Sequence, residues 1–99
     1  MVELIVDAPP TPGTIAVQQE VDSFFVQIDQ PGRFRVHLRA ESEARMILTL
    51  RNQNGDKMDE QAGTAPLLEH ELTVGKYYVF AACELPSGTG SYRIGVSQP

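Results

Sequence analysis

The chain has 99 residues, enough for about one small domain and too few for two independent ones. Its 41% hydrophobic and 21% charged content is that of an ordinary globular protein, which excludes a disordered tail, a coiled coil and a collagen-like rod. With 8 lysines and arginines against 13 aspartates and glutamates the net charge is −5, so a dominant role in binding nucleic acid is excluded as well.

Residues 1–13 are expected to form an extended N-terminal segment or linker, with a possible first strand around Val2–Val6. Pro9, Pro10 and Pro12 fix the backbone dihedral there and remove amide donors. The folded domain is expected over residues 14–99. No apolar run approaches the roughly 18 residues of a membrane span. The opening residues lack the basic head and long apolar stretch of a signal peptide, and the chain reads as a domain of a longer protein.

From residue 21 onward the side chains alternate with period two, and no window of helical length has apolar residues at i, i+3, i+4 and i+7. After a strand around Thr14–Gln18, Asp22–Asp29 places Phe24, Val26 and Ile28 on one face and Phe25 and Gln27 on the other. Pro31-Gly32 supplies a turn. Arg33–Ala40 sets Phe34, Val36, Leu38 and Ala40 against Arg33, Arg35, His37 and Arg39, the pattern of a sheet with one wet face. Arg45–Asn52 alternates again and runs into Asn54-Gly55, a strong hairpin signal because both residues tolerate positive φ. A return strand is expected near Lys57–Glu60, followed by a surface loop over Gln61–Pro66. Leu67–Val74, Lys76–Glu84 and Ser91–Ser97 complete the set, broken by Gly75 and by a loop over Pro86–Gly90. About eight short strands at this spacing predict an all-β fold, an antiparallel β-sandwich of jelly-roll-like form.

Catalytic patterns fail on inspection. Gly88-Thr89-Gly90 has Arg93 where a dinucleotide loop needs its third glycine, and no helix follows. Asn52–Asp56 has its glycine too early for a calcium loop. Cys83 is the only cysteine, so there is no internal disulfide and no cysteine zinc cluster. A nucleophile–base pairing of Cys83 with His37 or His70 competes with its role as a small buried hydrophobe in an Ala-Ala-Cys strand, which is the preferred reading. His70 shares a face with Leu68 and Leu72 and is expected as a hydrogen-bonded core histidine, whereas His37 is expected in solvent. No catalytic residue, metal ligand or cofactor site is assigned, and the chain is read as a non-enzyme.

Two candidate binding surfaces remain. Between Arg33 and Arg51 lie five arginines and two acids, a local charge of +3 that leaves −8 on the remainder. Arg33, Arg35 and Arg39 share one face and could hold an anionic partner such as a sulfated polysaccharide or an acidic neighbouring domain, or pair across strands with Glu69 and Glu71. If Phe24, Tyr77 and Val79 face the core, then Phe25, Tyr78 and Phe80 face outward, where aromatics stack on sugars or contact a protein unless another element covers them.

Five stretches together resemble the bacterial pre-peptidase C-terminal domain over residues 14–97. They are Val21–Val26; Pro31-Gly32 followed by Phe34, Val36 and Leu38; Leu48–Leu50 leading to Asn54-Gly55; Gly75-Lys76-Tyr77-Tyr78-Val79; and Gly90–Val96 with Tyr92 and Ile94. The resemblance implies a jelly-roll-like sandwich in an extracellular or periplasmic setting. It also implies non-catalytic work: an accessory domain that binds a polymer, surface or partner, or aids secretion or folding of an attached enzyme. The alternative is a structural module that mediates packing between chains or domains. Many members place aspartates where this chain has Arg45 and Ile47, so calcium binding is not carried over.

Overall fold

The long strands other than the edge strand Lys57–Gly63 bury one face and wet the other. In the computed structural model, which describes residues 1–17, 20–41, 44–84 and 89–99, Phe24, Val26 and Ile28 are at most 4% exposed while Gln27 is open to solvent. The strands are β1 (Val2–Glu3), β2 (Thr11–Ile15), β3 (Val21–Ile28), β4 (Gly32–Ala40), β5 (Met46–Arg51), β6 (Lys57–Gly63), β7 (Leu67–Leu72), β8 (Gly75–Cys83) and β9 (Gly90–Ser97). That makes nine among the described residues, against about eight expected. They form two sheets, a five-stranded one in the order β1-β3-β8-β5-β6 and a four-stranded one in the order β2-β9-β4-β7. Apart from the parallel pairing of β1 with β3, the pairings are antiparallel. The protein is the all-β sandwich that the alternation predicts.

Between the sheets lies one apolar core, in which Val26, Leu48, Leu50, Val79 and Ala81 of the first sheet meet Val36, Leu38, Leu68, Ile94 and Val96 of the second. Burying a side chain of the Val or Leu class stabilises the fold by roughly 1.5–3 kcal/mol. The N-terminal residues take part. Leu4 is 2% exposed and donates its amide to the Phe25 carbonyl at 2.7 Å. The chain then crosses to the second sheet, where the Asp7 amide reaches the Val96 carbonyl at 2.8 Å.

Several strand boundaries differ from expectation, the first strand among them, which ends at Glu3 and not Val6. β2 begins at Thr11 and ends at Ile15, with Gln18 outside the described residues. Leu67–Leu72 stops two residues short of Val74, and Gly75, at φ 148°, opens β8. Gln61–Gly63, expected in a loop, continues β6 and pairs with Met46–Leu48. An edge strand with an exposed face carries no apolar alternation, so composition alone hides it. The Asn54-Gly55 turn is present, with Gly55 at φ 88° and the Asn52 side chain accepting from the amides of Asn54 and Asp56, both at 3.0 Å. Of the loop expected over Pro86–Gly90, residues 86–88 lie outside the described residues.

Candidate functional site

On the outer face of the five-stranded sheet the three aromatics picked out in the sequence come together. Phe25 of β3 stands opposite Tyr78 of β8, and Phe80, two residues further along β8, stands opposite Ser23. On its other side β8 meets β5, so Tyr78 is also opposite Arg51, and Phe80 opposite Thr49. All three rings are half-buried, each leaving part of its surface to solvent. Cations lie over them: the Lys76 ammonium is 4.5 Å from the Phe25 centroid and 5.5 Å from that of Tyr78, and the Arg51 guanidinium is 5.9 Å from that of Phe80. Beside Phe80 is a groove of about 330 Å³, lined by the apolar Val21, Ile47 and Ala82 and the polar Thr49, Arg51 and Glu60. The Thr49 hydroxyl donates to Glu60 at 2.8 Å, and Arg51 Nη1 donates to the Gly55 carbonyl at 2.9 Å. The groove therefore sets fixed polar groups beside apolar ones.

The arginine face lies on the four-stranded sheet and divides in two. Arg33 and Arg35 converge on one carboxylate, Glu69: Arg33 Nη2 meets Oε2 at 3.3 Å and Arg35 Nε meets Oε1. The Arg35 hydrogen bond, then that of Arg33, hold the Glu69 carboxyl below its usual range. At the other end Arg39 stands opposite Arg93 of β9, and Arg93 Nε pairs with Glu41 at 3.1 Å. His37, expected in solvent, is half-buried between the two halves. Its ring lies against Gly95, which has no side chain to displace it, and burial lowers the pKa of the imidazole.

The remaining titratable groups serve packing. Cys83 Sγ lies 3.7 Å from Met46 Sδ, and burial, then the charge of Glu20, push the thiol pKa up. His70, expected in the core, instead bridges the sheets, with Nε2 2.9 Å from Asp59 Oδ2. Asp59 lies beside Leu50 and thus one strand from Val79, four residues from Cys83 on β8, about 13 Å along the strand. His70 and Cys83 are not brought together. At the far end of the core the Tyr92 hydroxyl donates to Asp22, whose pKa is raised, first by desolvation. Desolvation, then that bond, drive the phenol pKa far above the tyrosine range. No group of three or more metal-ligating side chains occurs among the described residues.

No family model and no curated protein matches the sequence. Among solved structures, the pre-peptidase C-terminal domain of collagenase from Bacillus anthracis is similar with a TM-score of 0.82 at 16% identity, over 96% of this chain and 92% of that one. The fold is that of the pre-peptidase C-terminal domain. The Yersinia pseudotuberculosis-derived mitogen is similar with a TM-score of 0.72 at 18% identity, over 92% of this chain and 85% of that one. A surface-associated copper-binding protein of Methylomicrobium album also gives 0.72, at 8% identity, over 100% of this chain and 98% of that one.

Within the pre-peptidase C-terminal fold, the stretches that carried the resemblance have defined structural work. In Gly75–Val79 the Tyr77 hydroxyl closes the β7–β8 turn, accepting from the Thr73 amide at 3.1 Å and donating to its carbonyl at 3.2 Å. In Gly90–Val96 Tyr92 packs edge-on to Phe24 with ring centroids 6.4 Å apart. Arg45 and Ile47 are also used: Arg45 pairs with Glu84, whose hydrogen bond raises the guanidinium pKa, and Ile47 lines the groove. Lys76, Arg51, Ile47 and Arg93 were not picked out from the sequence as site residues. Their outward parity was legible, but the strands beside them were not.

Proposed function

We propose that this chain is a non-catalytic accessory domain that works outside the cytoplasm and holds a polymer or surface for an attached enzyme, through the outer face of its five-stranded sheet. The observation that carries this reading is the row formed by Phe25, Tyr78 and Phe80, partly open to solvent and continuous with the groove that Val21, Ile47 and Ala82 help to line. Aromatic rings beside fixed hydroxyl, carboxylate and guanidinium groups match the two sides of a sugar ring, one apolar and one polar. The fold shared with a domain of a collagenase supports an accessory role, and a periplasmic lysozyme inhibitor with a TM-score of 0.56 supports the setting.

Co-sedimentation of the chain with insoluble cellulose, chitin and bacterial cell wall tests this reading. The wild type pellets with at least one of them, and a Tyr78→Ser, Phe80→Ser variant with an unchanged circular dichroism spectrum stays in the supernatant. Equal pelleting of the two proteins, or no pelleting at all, contradicts it. The rival reading, assembly through the same face, draws support from Val21, 56% exposed beside the groove. It predicts a stable dimer in light scattering that the same variant dissolves.

A further inference from the structure

The arginine face carries a second site. We infer that Arg39 and Arg93 together form a binding corner for a sulfate ester on a polysaccharide, on the four-stranded sheet and independent of the aromatic face. Both side chains point away from the core, since Leu38, Tyr92 and Ile94, their neighbours along β4 and β9, are at most 1% exposed. They are direct partners in the antiparallel register, a placement that sets Cα atoms roughly 4.5–5.5 Å apart. Like charges directly opposite destabilise a sheet. Glu41 offsets this only in part, because its one carboxylate, 3.1 Å from Arg93 Nε, faces two guanidinium charges. Arg39 has no hydrogen bond or ion pair among the described residues. The contrast with Arg33 and Arg35, which share Glu69, is internal to one strand.

An oxyanion with three terminal oxygens can accept from both guanidinia at once, relieving the repulsion and using the Arg39 donors, which have no partner among the described residues. Two residues back along β9, Ser91 Oγ lies 3.3 Å from Thr14 Oγ1, which puts two hydroxyls within reach of the same chain of sugars. The corner stands on an open sheet face, which admits a polymer lying across the strands. Repetition of sulfates along that polymer compensates for the few contacts at each one.

Chromatography of the full chain on heparin resin at low ionic strength tests the assignment, with dextran sulfate and unsulfated dextran as competitors. The wild type is retained and dextran sulfate alone displaces it. Arg39→Ser with Arg93→Ser lowers the apparent affinity roughly tenfold or more. Arg33→Ser with Arg35→Ser elutes with the wild type, and circular dichroism confirms that each variant is folded. Flow-through of the wild type, equal displacement by unsulfated dextran, or loss of retention on removing Arg33 and Arg35 as large as on removing Arg39 and Arg93 overturns it. None of these outcomes bears on pelleting with cellulose, chitin or cell wall, so the two sites fail separately.

Discussion

Phe25 and Tyr78 face each other across β3 and β8, and a single ammonium, that of Lys76, lies over both rings at 4.5 Å and 5.5 Å. The pairing joins two segments distant in sequence into one platform and fixes how the rings present themselves. Lys76→Gln is expected to lower stability by roughly 0.5–1 kcal/mol, the scale of an exposed cation–π contact. Urea denaturation measures it, and a double-mutant cycle with Phe25→Leu should give less than additive losses. Strict additivity would show that the ammonium does not engage the ring.

Glu69 holds two arginines at once, so Glu69→Gln frees both. The variant is expected to bind heparin resin more tightly than the wild type. Its acid stability should change too. A carboxyl whose folded pKa lies below the ordinary 4.5 contributes stability that is present above that value and lost as pH falls through the folded pKa. Glu69→Gln therefore flattens the acid limb of the stability curve, which thermal melts in the acid range read directly.

Tyr92 is fully buried, and its hydroxyl ends on Asp22. Tyr92→Phe leaves the Asp22 carboxylate without that donor, and a loss of about 1–3 kcal/mol is expected. Because folding raises the phenol pKa above its ordinary 10, its contribution is complete below pH 10 and lost as pH rises through the folded value. The variant should accordingly show a shallower loss above pH 10. Gly13→Ala tests the same packing from the other side, since a Cβ there would come within 2.7 Å of Tyr92 Cε2, and about 1–3 kcal/mol of overpacking is expected. A wild-type melting temperature for Gly13→Ala would mean that the ring has room to move, and one for Tyr92→Phe that the bond to Asp22 adds no net stability.

His37 is held neutral by burial, its folded pKa below the ordinary 6.5. The unfolded chain takes up that proton first as pH falls, so stability is full above about pH 6.5 and declines below it towards the folded pKa. His37→Gln is expected to reduce the drop in melting temperature between about pH 7.5 and 5.5. An unchanged drop would assign it to other groups.

The strand faces were legible because burial and alternation are one fact in a sandwich: the residues of Arg33–Ala40 and Lys76–Cys83 sort by parity. The hairpin at Asn54-Gly55 was legible because its chemistry is local. Sheet order was not. That β8 lies between β3 and β5 depends on contacts between distant segments, which leave no mark on either strand. Phe25, Tyr78 and Phe80 could thus be identified as outward residues but not as neighbours, and the Arg39–Arg93 pair was invisible until β9 was placed beside β4. His37 departs from its parity for a related reason: it alternates with exposed arginines, but its ring lies against Gly95 of the adjoining strand.

The central claim is that ligand contacts the outer face of the five-stranded sheet. Amide chemical-shift mapping of the labelled chain, titrated with soluble fragments of the polysaccharides used for sedimentation, tests it most directly. Shifts concentrated at Phe25, Ile47, Tyr78 and Phe80 are predicted. Shifts confined to the four-stranded sheet or to the N-terminal crossing, or no shifts with a fragment of a polymer that pellets the chain, would contradict it.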